Sequence, residues 1–175
     1  GEGGIITTNN KKLYLKMSSY KNFGRGSNPQ MINFLGANYK ISEFTAILGI
    51  LEIGRIKKRI YRRKEITLRY KMNLRNNSKY EVITQKTGRA SYYKCIIKTK
   101  ISSNLIKKYC KKFGIHLTGK VWDIPIHKQK VFKRYIQKGS FPNSEMFSRY
   151  HICPPNYPEL KNNEVDYICS ILNKI

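Results

Sequence analysis

The chain has few acidic residues, no long apolar run, no paired cysteines and no internal repeat, and each lack removes a class of protein. Ten Asp and Glu face 35 Lys and Arg, a formal net charge of +25. Such an excess attracts polyanions: nucleic acid, anionic lipid or phosphorylated metabolites. The basic residues are nevertheless spread among abundant Ile, Asn and Tyr over the whole length, which suits a biased coding composition better than a selected polyanion surface. No stretch approaches the roughly 18 apolar residues that a membrane span requires, and no signal peptide precedes the chain, so a cytoplasmic protein is expected. Cys95, Cys110, Cys153 and Cys169 stand far apart without a C-x-x-C pair, and His116, His127 and His151 are equally scattered. Zinc sites draw on close ligand pairs, which only His151-x-Cys153 suggests; no metal is expected, and the thiols read as buried and reduced.

What is present suffices for one core, or a small core and part of another, in 175 residues of 40% hydrophobic content. The chain opens on Gly1-Glu2-Gly3-Gly4 and runs into Ile5-Ile6-Thr7-Thr8, a glycine turn feeding a β-branched strand. A first strand of this kind needs neighbours on both sides, so the chain reads as the back part of a larger protein.

Asn9 and Asn10 can cap a helix with Leu13, Met17, Tyr20 and Phe23 on one side and Gly24 at its close. Ser42 is an N-cap with Glu43 placed for the helix dipole. A long helix follows: Phe44, Ile47, Leu48, Leu51, Ile56 and Ile60 form its stripe, while Arg55, Lys57, Lys58, Arg59, Arg62, Arg63 and Lys64 crowd the other face. That face is the best candidate for a nucleic-acid surface, but no aromatics are interleaved to stack bases, so a solvated face is favoured. Residues 75–79 break the helix and mark a boundary. Beyond it, residues 91–99 read as a strand, Ser103 or Asn104 caps a helix ending at Gly114, and residues 115–117 read as a second strand before a loop around Gly119. A short helical piece is expected near residues 128–137, and a terminal helix carries Val165, Ile168, Cys169 and Leu172. Together these describe a small α/β sandwich.

Several segments occur in an order that resembles the pyridoxal-phosphate sugar aminotransferases of the DegT/DnrJ/StrS group. They are Gly1-Glu2-Gly3-Gly4 with its strand, the helix ending Lys21-Asn22-Phe23-Gly24-Arg25, Gly36-Ala37-Asn38-Tyr39-Lys40-Ile41-Ser42-Glu43, and the helix of residues 49–70. Gly114-Ile115-His116, Trp122-Asp123-Ile124-Pro125-Ile126-His127 and Cys153-Pro154-Pro155-Asn156-Tyr157-Pro158 complete the set. The resemblance implies the C-terminal portion of a fold-type-I aminotransferase, an α/β protein. Residues 1–75 would be the edge of the large cofactor-binding domain with a long connecting helix, and residues 76–175 a small α/β domain.

It further implies a homodimer when complete, pyridoxal 5'-phosphate as cofactor, a keto-sugar nucleotide as substrate and an amino donor, typically glutamate. The Schiff-base lysine of such enzymes lies a few residues before the glycine turn, so the missing N-terminal half becomes a required partner and the chain alone is expected to be inactive. Carried over residue by residue, Asn38 matches the asparagine that reaches the cofactor phosphate of the other subunit, and Gly3 lies beside the Schiff-base lysine. Arg25, Lys40, Trp122 and His127 are candidate substrate contacts. No catalytic residue is assigned. Lys161 stands where the family carries a threonine or serine cap, which predicts a weak start to the last helix. Two other classes stay open: a non-catalytic remnant, and a small basic polyanion-binding protein.

Overall fold

The computed structural model describes residues 2–117, 120–136 and 139–175. Gly1 of the opening turn, Gly119 of the expected loop and Gln137 of the expected helical piece fall outside them. The elements run α1 (Lys11–Tyr20), α2 (Glu43–Leu74), β1 (Tyr80–Val82), β2 (Ile97–Thr99), α3 (Ser103–Lys111), two 3-10 turns (Ile126–Lys128 and Lys130–Tyr135), α4 (Pro142–Arg149), β3 (His151–Ile152) and α5 (Asn162–Leu172). No helix among the described residues is long and apolar enough to cross a membrane.

Packing divides the chain inside α2, into Gly1–Ile56 and Lys57–Ile175, whereas the sequence places the break after the helix, where Asn76-Asn77-Ser78 ends it. The helix does end there. Its last turns, however, carry Ile66, Tyr70 and Leu74 into the core of the later unit, and that burial moves the division upstream.

In the first unit α1 is capped as expected, Asn10 Oδ1 accepting from the Leu13 amide at 3.1 Å. Ser42 Oγ accepts from the Thr45 amide at the start of α2. The expected strand at residues 5–8 is absent: the segment is irregular, with Ile5 75% and Ile6 76% exposed. β-branched residues form a strand only when a neighbour completes the ladder, and none of the described residues does so here. Among the described residues of this unit, Gly24 alone is buried. Even the α2 stripe faces outward, with Phe44 83% exposed and Ile47, Leu48, Leu51 and Ile56 exposed alongside it.

The later unit has a true core. β1, β2 and β3 form a three-stranded antiparallel sheet in chain order, pairing Val82 with Ile97 and Ile97 with Ile152. Along β1 and β2 inward residues alternate with outward Glu81 and Lys98, which face each other at 3.5 Å. Ile66 and Tyr70 of α2, Ile106 and Cys110 of α3, and Val165 and Leu172 of α5 fill the interior with the sheet's apolar residues. The α/β class stands, but the strands differ from expectation. Of residues 91–99 only Ile97–Thr99 is strand, and residues 115–117 are irregular although Ile115 and Leu117 are buried. β1 and β3 supply the pairing instead.

Part of the basic face of α2 is structural. Arg69 makes a two-pronged ion pair with Asp166 of α5 at 2.7 and 2.6 Å, and Asn73 donates to the same carboxylate. Arg62 donates to the Leu160 carbonyl and to Asn162 Oδ1. The start of α5 is firmer than Lys161 suggests, because Glu164 accepts from the Lys161 amide at 2.7 Å and so completes half of a capping box. All four cysteines are buried free thiols, as expected.

Candidate functional site

The sequence candidates gather at two places, one in each unit. In the first, the turn that closes α1 is clipped to residues 33–39. Gly24 takes φ +75°, which lets its amide return to the Ser19 carbonyl at 2.9 Å. Residues 36–39 then lie against this turn: the Ala37 amide donates to Tyr20, the Phe23 amide to Ala37, and the Tyr39 amide to Lys21, at 2.9–3.1 Å. An alanine methyl at Gly36 would stand 2.1 Å from the Gly24 nitrogen, and one at Gly24 would stand 1.8 Å from the Phe34 carbonyl oxygen. Both glycines are therefore required by the close passage of two backbones.

The clip presents Asn38. The residue is exposed, and its side chain makes no hydrogen bond among the described residues, so the amide is free to serve a group arriving from outside. Gly3, Asn38 and Lys40 line one open groove of about 1120 Å³. Lys40 Nζ donates to Asn22 Oδ1 at 3.2 Å and lies 4.9 Å from the centre of the Phe23 ring. The guanidinium of Arg25 reaches the same ring at 5.3 Å, although Arg25 does not line the groove. Phe23, held at φ +61°, thus gathers two cations. The remaining lysines of the groove, Lys16 and Lys21, are exposed like Lys40; an amine made nucleophilic by desolvation needs burial, which none of them has.

In the later unit Trp122 and His127 line a second cavity, of about 590 Å³, with Ile126, Tyr135, Phe141 and Phe147. Trp122 is 69% exposed and so does not belong to the core. His127 is held: its Nε2 lies 3.1 Å from Glu145 Oε1, and its ring packs on Phe141 with centroids 4.8 Å apart. Lys128 takes the other oxygen of Glu145 at 2.6 Å. Glu145 is the residue that sequence reasoning missed. It lies 18 residues beyond His127 with no local motif to link them, and only an acid on a helix facing a basic stretch could have signalled it.

Lys128 first and His127 second hold the Glu145 carboxyl below its ordinary value. A depressed carboxylate adds stability above the unfolded value near 4.3 and loses it as pH falls through the lowered folded one. Acid titration below about pH 4 should therefore release α4 from the 126–128 turn. The shift of the Phe141 ring protons reports this release, and Glu145→Gln should remove its pH dependence.

His151 has its two nitrogens engaged, which answers the metal suggestion. Nε2 accepts from the Val121 amide at 2.9 Å, so the ring is neutral with its proton on Nδ1, directed at the Phe147 carbonyl. Burial lowers its pKa, consistent with that form. No group of three or more metal-ligating side chains occurs among the described residues.

Comparison with known proteins gives one consistent result. The model of the DegT/DnrJ/EryC1/StrS aminotransferase family matches residues 1–173. A GDP-perosamine synthase of Escherichia coli O157:H7 is 28% identical across 99% of this chain and 47% of its own length. A dTDP-4-amino-4,6-dideoxy-D-glucose transaminase of Shigella dysenteriae is 25% identical across 99% of this chain and 48% of its own. The crystal structure of a DegT DnrJ EryC1 StrS aminotransferase from Brucella abortus superposes with a TM-score of 0.86 at 20% identity, covering 95% of this chain and 44% of that one. The chain spans about half the length of the relatives it matches.

Proposed function

Because the chain belongs to the DegT/DnrJ/EryC1/StrS aminotransferase family, we propose that it is the C-terminal share of an enzyme that transfers an amino group to a keto-sugar nucleotide. The observation that carries this reading is the reach of the match, which takes in nearly all of this chain but half of each relative. The unburied apolar surface of the first unit supports it, since the Ile5-Ile6 segment and the Phe44 stripe have the character of a face meant to be covered. The partner for that face is the remaining half of the enzyme, and the complete protein is a homodimer.

Pyridoxal 5'-phosphate is the cofactor of the family, and when bound it supplies an electron sink for bonds at the amino-bearing carbon. The residues present fit one part of that group. Asn38, exposed and without an internal partner, would donate from the clip to the cofactor phosphate of the other subunit, and Gly3 lines the same groove. Arg25 and Lys40 bring positive charge to the anionic substrate around Phe23. Trp122 offers an exposed apolar face to it, and His127, oriented by Glu145, holds a fixed ring beside that face. No lysine of the groove is desolvated, so none serves as the nucleophile.

Amino transfer from glutamate to a 4-keto sugar nucleotide, assayed with added pyridoxal phosphate, tests the reading. The chain alone should give no turnover, and the chain combined with a polypeptide supplying the other half should give it. Turnover by the unaided chain overturns the assignment of the nucleophile, and continued silence of the combined halves overturns the aminotransferase reading.

A further inference from the structure

A polar basin of about 530 Å³ lies between the start of α3, residues 120–128 and α4; it adjoins the Trp122 and His127 cavity, sharing Pro125 and Ser148 with it, but differs from it in its charged lining. Lys107, Lys120, Lys128 and Arg149 line it against Asp123 and Glu145; four cations against two carboxylates leave two positive charges in surplus. Two of the cations are committed. Lys128 pairs with Glu145 at 2.6 Å, and Lys120, its side chain only 6% exposed, pairs with Asp123 at 2.9 Å while donating to the Ser148 carbonyl at 2.8 Å. Lys107 and Arg149 make no hydrogen bond or ion pair among the described residues.

The charge of Lys107 nevertheless acts on this space. The Asp123 carboxyl is held below its ordinary value by the Lys120 hydrogen bond first and by the Lys107 charge after it. The first residues of α3 form another wall, and no side chain caps that helix end, so its amides add partial positive charge to the same space. A mainly polar basin with two unspent cations and a largely buried ammonium fixed in its wall is matched by a small, doubly charged oxyanion.

We propose that this basin binds a phosphate-type dianion, with Lys107 and Arg149 as its direct partners. The site is independent of the aminotransferase reading and stands or falls separately. The test is titration of the full chain with inorganic phosphate at constant ionic strength, following the Ser103 and Asn104 amide resonances. Saturable shifts are expected there, and Lys107→Gln with Arg149→Gln should weaken binding roughly tenfold or more, the loss of a charge-assisted hydrogen bond. Lys107→Gln alone serves if the double variant fails to fold. Lys57→Gln with Lys58→Gln, on the exposed face of α2, should leave the affinity unchanged and so separates a local site from the general attraction of a +25 chain. A nucleoside diphosphate that displaces phosphate identifies a nucleotide as the source; failure to displace it identifies the free ion. Equal shifts with chloride at the same ionic strength, or undiminished binding by the Lys107 variants, would overturn the proposal.

Discussion

Tyr70→Ala should cost the later unit about 3–5 kcal/mol, the range for removing a large aromatic from a packed interior, read as a fall in the urea midpoint. Tyr70 is fully buried on the last turns of α2, in the cluster that also holds Ile97, Ile152 and Val165. Its hydroxyl donates to the Pro155 carbonyl at 3.1 Å and so fixes the chain entering α5. Truncation removes the ring, opens a cavity that such a small sheet has little freedom to close, and strands a carbonyl. Set against a usual total of about 5–15 kcal/mol, the loss can unfold the unit. Tyr70→Phe separates the contributions. It keeps the ring and should cost about 1 kcal/mol, the net worth of the hydrogen bond. Equal losses in the two variants would contradict the packing argument.

Gly36→Ala should open the clip that carries Asn38. The added methyl would lie 2.1 Å from the Gly24 nitrogen, 2.6 Å from the Phe23 carbonyl carbon and 2.7 Å from the Tyr20 carbonyl oxygen. All three are backbone atoms, so relief requires the two strands of chain to part. With three clip hydrogen bonds lost at about 1 kcal/mol each, exchange of the Phe23, Ala37 and Tyr39 amides should accelerate on the order of 100-fold. Gly49→Ala provides the contrast. Nothing lies within 4 Å of its methyl, and an interior helical Gly→Ala change should stabilise α2 by up to about 1 kcal/mol. Unchanged exchange in Gly36→Ala would show that the clip is not held by close backbone passage.

The helices were legible because their signals are local. Asn10, Ser42, Gly24 and Gly114 each mark an end through their own backbone and side-chain chemistry, and the elements start and stop beside them. Of the strands only β2, inside the expected 91–99 segment, was legible; β1 and β3 were not, because they are two or three residues long, shorter than any periodicity. Their existence rests on partners far along the chain, Tyr80 with Thr99 and Ile97 with Ile152. Residues 5–8 and 115–117 have strand composition without such a partner among the described residues. Of the candidate residues, Gly3, Asn38 and Lys40 come together on one groove, and Trp122 and His127 on one cavity. Glu145 was hidden because the pairing that matters is across space.

The four interior sulfhydryls give the later unit a built-in clock. Burial pushes Cys95 and Cys169 up to about 12 and Cys110 up to about 11, and raises Cys153 as well. In the closed molecule they are protonated and screened from electrophiles, and alkylating reagents attack only the deprotonated form. Each sulfur is thus a silent witness that records an opening event by becoming modified. Because Cys110 sits on α3, Cys153 just after β3 and Cys169 on α5, the sequence in which they are tagged would chart the order in which the interior comes apart.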